Sequence, residues 1–181
     1  FAYLSPDAAT ASTLDALVDE VCSLDQQACS SPQWLLVDSD DPTVLQNLGE
    51  QLAESFKRRA NQWPALVPSD QEASEITTRS AMARLGHCFA NEVGQVWTGA
   101  GWRIIWEHHQ ALAPSPLFRT LLLKPVPSHL IAQTLLPWRN VLQSCALICP
   151  ATQAPPLVRA LVNAGVTRIA PCGSIHDGYP G

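Results

Sequence analysis

The 181 residues carry 46% hydrophobic and 15% charged side chains, a composition that supports one folded domain with a hydrophobic core and excludes a disordered chain. The formal net charge of −5, without a cluster of lysine and arginine, gives no electrostatic reason to expect a nucleic acid or an anionic membrane as partner. A run of about 18 apolar residues and a signal-peptide pattern are both absent, so we expect a cytoplasmic protein without membrane insertion.

The first third of the chain predicts a helix, a buried strand and a second helix. Apolar residues recur every three or four positions over residues 11–24, as on the buried face of a helix. Residues 34–37 form a short, continuously apolar run, which is typical of a strand buried on both faces. The acidic stretch 38–42 ends in proline and is typical of a helix start, so a second helix is expected over residues 43–59.

The remainder of the chain alternates helices and strands in the same way. A loop over 61–70 ends at Ser69, a candidate N-cap with Glu72 three residues later, and predicts a third helix over 71–89. Glycines indicate a break over residues 94–101. The later expected elements are strands at 102–107, 119–126, 144–149 and 166–170 and helices at 130–136 and 155–164. This alternation predicts one α/β domain over residues 1–181, with a mostly parallel sheet and flanking helices.

Cys29 lies in a polar, glutamine-rich segment between the first helix and the buried strand. The six cysteines are spread over a chain large enough to need no disulfides, so reduced thiols are expected. A thiolate is both a good nucleophile and a good leaving group, which suits acyl transfer. No cationic residue adjoins Cys29 in the sequence, so its activation must come from backbone dipoles or distant residues. Cys29 is therefore the candidate nucleophile, with an inert buried cysteine as the alternative.

The segment 25–33, Asp-Gln-Gln-Ala-Cys-Ser-Ser-Pro-Gln, resembles the LuxC-type long-chain acyl-CoA reductases of bacterial bioluminescence and their relatives, within the aldehyde dehydrogenase superfamily. Residues 115–126 and 164–173 are similar to the same family. The resemblance covers nearly the whole chain. It implies an aldehyde-dehydrogenase-like catalytic domain, the C-terminal part of an enzyme whose nucleotide-binding domain lies outside this chain.

The resemblance also implies a reaction. A fatty acyl group would pass from CoA or acyl carrier protein to Cys29, and the S-acyl intermediate would be reduced by NADPH to a fatty aldehyde. NADPH would be bound mainly by the domain outside this chain, and no metal is implied. The backbone N–H of Cys29 and a side-chain amide outside this chain would hold the oxyanion.

Three further residues are weaker candidates. Gln26 and Gln27 flank the turn and could orient the thiol or the acyl carbonyl, or they could satisfy backbone groups of the turn. By the resemblance, Phe118 lies near where the superfamily contacts the ribose of the cofactor, with a core position as the alternative.

Two other functions stay open at this point. One is another acylating or semialdehyde enzyme of the aldehyde dehydrogenase superfamily. The other is a non-catalytic module that keeps the fold and serves as an assembly surface. A homo-oligomer, or a complex with other fatty acid reductase subunits, is the expected assembly.

Two further cysteines and three histidines are expected to have no role in a site. Cys145 and Cys149 belong to an apolar strand, where core packing is expected rather than metal binding, because no turn brings the two thiolates together. His108, His109 and His176 are expected to be solvated, although a histidine at a strand end can belong to a site.

The tryptophans of the central part of the chain have two interpretations. Trp102 and Trp106 should share one face of a strand, because alternate residues point to the same side. With Trp97 they could line a tunnel for an acyl chain, but ordinary core packing is preferred.

Overall fold

The computed structural model describes residues 1–89 and 92–177, and it has the α/β fold expected from the sequence, a mostly parallel sheet with flanking helices. The strands are β1 (Ala2–Leu4), β2 (Trp34–Val37), β3 (Gly94–Gly99), β4 (Trp102–Glu107), β5 (Thr120–Pro125), β6 (Ser144–Ile148) and β7 (Arg168–Pro171). The helices are α1 (Ala11–Cys22), α2 (Pro42–Arg59), α3 (Asp70–Phe89), α4 (Ile131–Leu135) and α5 (Ala154–Asn163). Within the described ranges, no helix is long and apolar enough to cross a membrane.

The seven strands form a single sheet in the order β3-β4-β5-β2-β1-β6-β7. Only β3 and β4 are antiparallel, and every other neighbouring pair is parallel. Helix α1 connects β1 to β2 and α5 connects β6 to β7, as parallel neighbours require a crossover. All residues of β2 and β5 are buried, which explains why β2 is a continuous apolar run and why β5 carries three consecutive leucines without alternation.

Two strands are not predicted from the sequence. Strand β1 has three residues and yet lies between β2 and β6, and so short a run carries no periodic signal. The prediction of a break over residues 94–101 is wrong, because β3 pairs with β4 along its whole length. Gly101 makes the tight turn between them with a φ of +76°. Trp97 of β3 packs on Gly49 of α2, where an added Cβ would collide with the indole ring.

Helices cover both faces of the sheet. On one face, α1 and α2 bury an apolar stripe against the sheet, and the opposite face is covered by α4, α5 and part of α3. Trp102 and Trp106 share the first face, as predicted, and each is 3% exposed. Trp97 packs against the same core. The three tryptophans therefore fill the core, and they do not line a tunnel.

Helix α3 is attached to the sheet through a charge cluster around Glu107, the last residue of β4. Both terminal guanidinium nitrogens of Arg79 donate to the Glu107 carboxylate, at 2.7 and 2.6 Å. Lys124 Nζ, fully buried in β5, donates to the same carboxylate at 2.7 Å. Burial alone would raise the pKa of Glu107, but the hydrogen bonds and charges of Arg79 and Lys124 outweigh it and lower the pKa to about 2.

This cluster predicts a specific acid sensitivity. The stability that Glu107 contributes is fully present above its ordinary pKa near 4.5 and is lost as the pH falls through about 2. At about 1.4 kcal/mol per pH unit, the contribution is at most about 3 kcal/mol. Urea unfolding should show that the difference in unfolding free energy between wild type and Glu107→Gln shrinks steadily over this pH interval. A difference that stays constant would contradict the prediction. Glu54→Gln, which removes an exposed ion pair with Lys57, is the control: Lys57 also lowers the pKa of Glu54, but solvent screens this pair, so the change with pH should be much smaller.

Candidate functional site

Cys29 lies on a β-turn between α1 and β2. The N–H of Ser31 donates to the carbonyl oxygen of Ala28 at 3.0 Å, so Cys29 and Ser30 are the two central residues of the turn. Cys29 is exposed, is not in a disulfide, and lines a cavity of about 290 Å³. No hydrogen bond within the described residues uses the backbone N–H of Cys29. A nucleophilic sulfur and an available N–H donor therefore belong to the same exposed residue.

The cavity lies at the amino ends of β1, β2 and β6. Trp34, Trp138 and Leu142 form an apolar part of its lining, and polar residues, among them Ser31 and Gln143, line the rest. The two tryptophan rings meet edge to face with centroids 5.1 Å apart, and Trp34 Nε1 donates to the carbonyl oxygen of Ala113 at 2.7 Å. Because the polar atom of Trp34 is already paired, this indole presents no unmet hydrogen-bonding group to the cavity. The apolar part of the lining suits an apolar group bound in the cavity that Cys29 also lines.

Gln26 anchors the turn to the sheet. It is 1% exposed, and its side-chain amide nitrogen donates to the carbonyl oxygens of Pro32 at 2.7 Å and Thr120 at 3.2 Å. Its side-chain oxygen accepts from the N–H of Thr120 at 2.8 Å. Both N–H donors are thus occupied by backbone oxygens. Gln26 can orient the Cys29 turn through these bonds, but it has no donor left for a substrate oxygen.

Gln27 takes a different position from Gln26. Its side chain is exposed, and its amide nitrogen donates to the carbonyl oxygen of Asp25 at 3.3 Å. Within the described part of the chain it makes no hydrogen bond to Cys29. An orienting role for Gln27 stays a prediction.

A buried ion pair lies under the turn. Arg119 Nε donates to Asp25, 94 residues away in sequence, and the two side chains are 3% and 5% exposed. The other nitrogens of Arg119 donate to carbonyl oxygens of the segment after α2, those of Ala60, Trp63 and Pro64. The second carboxylate oxygen of Asp25 accepts from the N–H of Leu66 at 2.7 Å. The ion pair thus joins the turn, β5 and the α2–α3 loop.

The ion pair also joins two segments with left-handed backbone. Asp25 and Gln26 have φ values of 48° and 62°, and Leu117, Phe118 and Arg119 have values of 62°, 48° and 59°. Non-glycine residues adopt this conformation at a cost of about 1–3 kcal/mol each and keep it only when the surroundings enforce it. Phe118 is half-buried and belongs to neither core cluster, so its contact with a cofactor stays a prediction.

His176 is brought to the Cys29 turn, which the sequence analysis misses. Its Nε2 lies 3.1 Å from the carbonyl oxygen of Glu20, which can only accept, so Nε2 carries the proton. In the neutral ring Nδ1 is then an acceptor, and the Ser30 hydroxyl donates to it at 2.9 Å. The two residues are 146 positions apart, and no local pattern predicts the contact. His176, which the sequence analysis expects in solvent, is therefore half-buried and in contact with Ser30, the residue after Cys29.

Glu20 positions the segment that carries His176. Its carboxylate accepts from the N–H of Gly173 at 2.6 Å and from that of Ile175 at 3.0 Å. Burial raises the pKa of Glu20, although these two donors oppose the shift. The chain after β7 is thereby held along α1, and His176 is placed against Ser30.

The prediction that Cys29 accepts an acyl group implies a measurable effect of removing His176. We expect His176→Ala to lower the acylation rate about tenfold, because two hydrogen bonds that position the turn are lost. Ser30→Ala should have a similar effect, and the double variant should be no worse than either single one, since both belong to one contact. Stopped-flow acylation checks this. Additive effects would contradict it, and His129→Ala, at an exposed histidine, is the control.

The remaining cysteines differ from Cys29. Burial raises the pKa of Cys22 and of Cys145 to about 12, which keeps both thiols protonated and unreactive. Cys145 lies in the core, as predicted, and Cys149 is half-buried. Among the described residues, no group of three or more His, Cys, Asp and Glu side chains could hold a metal ion.

The strand-to-helix connections of this chain do not fit a dinucleotide. Binding of a pyrophosphate after a parallel strand needs glycines that let the backbone approach it at a helix start. The connections after β1, β2 and β6, residues 5–10, 38–41 and 149–153, contain no glycine. A nicotinamide cofactor would therefore need residues other than these connections.

Comparison with solved structures shows the fold. The chain is similar to an NAD-dependent benzaldehyde dehydrogenase from Corynebacterium glutamicum, with a TM-score of 0.61 and 14% identity over 93% of this chain and 38% of that one. It is also similar to gamma-glutamyl-gamma-aminobutyraldehyde dehydrogenase from Burkholderia cenocepacia, with a TM-score of 0.65 and 12% identity over 97% of this chain and 38% of that one. The chain thus spans less than two fifths of the length of these enzymes. At such low identity the likeness establishes an aldehyde dehydrogenase fold and no more.

Sequence comparison identifies the family. No curated protein matches this chain. The family model described as acyl-CoA reductase (LuxC) matches residues 1–181, which is the whole chain. The chain therefore belongs to the LuxC family of acyl-CoA reductases.

Proposed function

We propose that this chain carries the acyl-accepting site of a reductase that converts fatty acyl thioesters to fatty aldehydes with NADPH. The observation that carries the proposal is the position of Cys29, exposed on a β-turn and lining a cavity that is partly apolar, in a chain of the LuxC family. Two structural relatives are named as NAD- and NADP-dependent dehydrogenases, which supports a nicotinamide cofactor.

Acceptance of the acyl group is the step that these residues can perform. The Cys29 thiolate adds to the thioester carbonyl, and the carbonyl electron pair moves to oxygen, where the N–H of Cys29 can donate to it. Collapse of this intermediate expels the CoA thiolate and leaves an S-acyl enzyme. The exchange of one thioester for another needs no net proton transfer. The apolar wall of Trp34, Trp138 and Leu142 would hold the first part of the acyl chain.

In this proposal, NADPH is bound mainly by a part of the protein outside this chain. NADPH supplies the hydride that reduces the S-acyl group to an aldehyde. Phe118 is the contact that we propose from this chain, at the turn that Arg119 fastens to the Cys29 segment.

Assembly with further subunits is part of the same proposal. Helix α3 buries only Ile76 and Ala83. Met82, Leu85 and Phe89 lie on its outer side and are 60%, 48% and 84% exposed. An apolar ridge of this kind is typical of a protein interface. It supports a homo-oligomer or a complex with other fatty acid reductase subunits. A cytoplasmic location is part of the proposal and rests on the sequence alone.

Incubation of the full-length protein with a long-chain acyl-CoA tests the function. Intact-mass spectrometry should show a gain of one acyl group, and peptide mapping should place it in residues 25–33. Addition of NADPH should remove the acyl group and release an aldehyde. A protein that forms no adduct, or whose adduct is hydrolysed to a fatty acid and never reduced, would refute the proposal. Preference for short acyl groups would favour another acylating aldehyde dehydrogenase.

A further inference from the structure

Ser31 has a buried hydroxyl that no described residue satisfies. The residue is 3% exposed, and its Oγ has no hydrogen-bond partner within the described ranges. Unpaired buried hydroxyls are unfavourable and uncommon, so each calls for a physical reason. Of the buried hydroxyls without a partner among the described residues, Ser31 is the one that lines the Cys29 cavity.

The backbone around Ser31 is held firmly. Its own N–H closes the turn that carries Cys29, by donating to Ala28 at 3.0 Å. Pro32 follows and restricts Ser31 to extended conformations, and Gln26 holds the carbonyl oxygen of Pro32 at 2.7 Å. The hydroxyl keeps rotation about the Cα–Cβ bond, among three staggered positions, and rotation of its hydrogen about the Cβ–Oγ bond. The hydroxyl thus stays next to the cavity while its direction can follow a bound group.

We propose that Ser31 is a catalytic residue that donates a hydrogen bond to the thioester carbonyl oxygen of the acyl substrate. The proposal rests on the acyl-transfer function given above and adds a side-chain donor from this chain to the N–H of Cys29. As the Cys29 sulfur bonds to the carbonyl carbon, the electron pair of the C=O bond moves to oxygen, and Ser31 Oγ–H donates to that oxyanion. When the intermediate collapses, the CoA thiolate leaves with the electron pair of the old C–S bond. Ser31 keeps its proton throughout.

The Ser31→Ala variant of the full-length protein tests this assignment through two reactions of the same thiol. Acylation by a long-chain acyl-CoA passes through an oxyanion, whereas alkylation by iodoacetamide displaces iodide and forms none. We expect acylation to slow about a hundredfold and alkylation to change less than about twofold. The loss should appear in the limiting rate and not in the half-saturating acyl-CoA concentration, because the oxyanion exists only along the reaction path.

Thermal unfolding separates this role from a structural one. Removal of an unpaired hydroxyl should leave the unfolding temperature unchanged or raise it, whereas loss of a structural bond would lower it. Ser23→Ala removes another buried hydroxyl without a partner among the described residues, one that does not line the cavity; it is the matched control and should acylate at the wild-type rate.

Each result has a distinct meaning. Equal acylation rates for wild type and Ser31→Ala would overturn the assignment of Ser31 and leave the acyl-transfer function intact. Equal losses in acylation and alkylation would also overturn it, because Ser31 would then affect the reactivity of the thiol and not the stability of the oxyanion. A wild-type protein that forms no adduct at all would refute the acyl-transfer function and the role of Ser31 with it.

Discussion

The Cys29→Ala variant is expected to lose acyl transfer from acyl-CoA by more than about a thousandfold, because Cys29 is the only thiol among the described residues that line the cavity. Cys22 and Cys145 are buried thiols whose raised pKa values, about 12 each, keep them protonated. The fold should not change, since Cys29 is exposed on a turn and packs into neither core cluster. Intact-mass spectrometry after incubation with a long-chain acyl-CoA measures the loss.

The matched control for this variant is Cys88→Ala. Cys88 is also an exposed thiol, but it lies near the end of α3 and does not line the cavity. We expect the Cys88→Ala protein to form the adduct at the wild-type rate. Persistence of the adduct in Cys29→Ala, or its loss in Cys88→Ala, would show that the site has been assigned to the wrong thiol.

The Arg119→Met variant should lose about 3–5 kcal/mol of unfolding free energy. Methionine is close to arginine in length, so the main change is the loss of charge and of donors. Asp25 would remain as a buried carboxylate without a counterion, and three carbonyl oxygens would lose their donor. Release of the left-handed segment before Cys29 should also slow acylation. Urea unfolding and acylation kinetics measure the two effects.

Two further variants make this prediction specific. Arg58→Met removes an ion pair with Asp15 whose partners are 49% and 29% exposed, and it should change stability by less than about 1 kcal/mol. Asp25→Asn combined with Arg119→Met removes the unpaired charge and should recover part of the loss. If Arg119→Met and Arg58→Met were equally mild, the buried pair would not be what holds the turn.

Local sequence patterns account for the elements whose type was predicted. Helices α1 and α2 each repeat apolar residues at helical spacing, and β2 is a continuous apolar run between polar segments. The start of α3 follows from capping, since the N–H of Ser69 donates to Glu72 at 2.7 Å. Such interactions involve residues within one or two turns of each other, so a single sequence displays them directly.

The two missed strands depend on contacts that are distant in sequence. Strand β1 is central because β2 and β6 pair with its two edges, not because its three residues have a strong preference. Strand β3 begins and ends in glycine, which locally favours a turn, but pairing with β4 and the packing of Trp97 on Gly49 override that preference.

The amino-acid sequence by itself determined the α/β class, most element boundaries and Cys29 as the candidate nucleophile, because periodicity and residue chemistry are readable over a dozen positions. Only the tertiary structure decided what surrounds the thiol. Arg119 is 94 residues from its partner Asp25, and His176 is 146 residues from its partner Ser30. The unpaired hydroxyl of Ser31 is recognisable only once its neighbours are in place. Such contacts arise when the sheet brings remote segments together, so they leave no periodic trace in the chain.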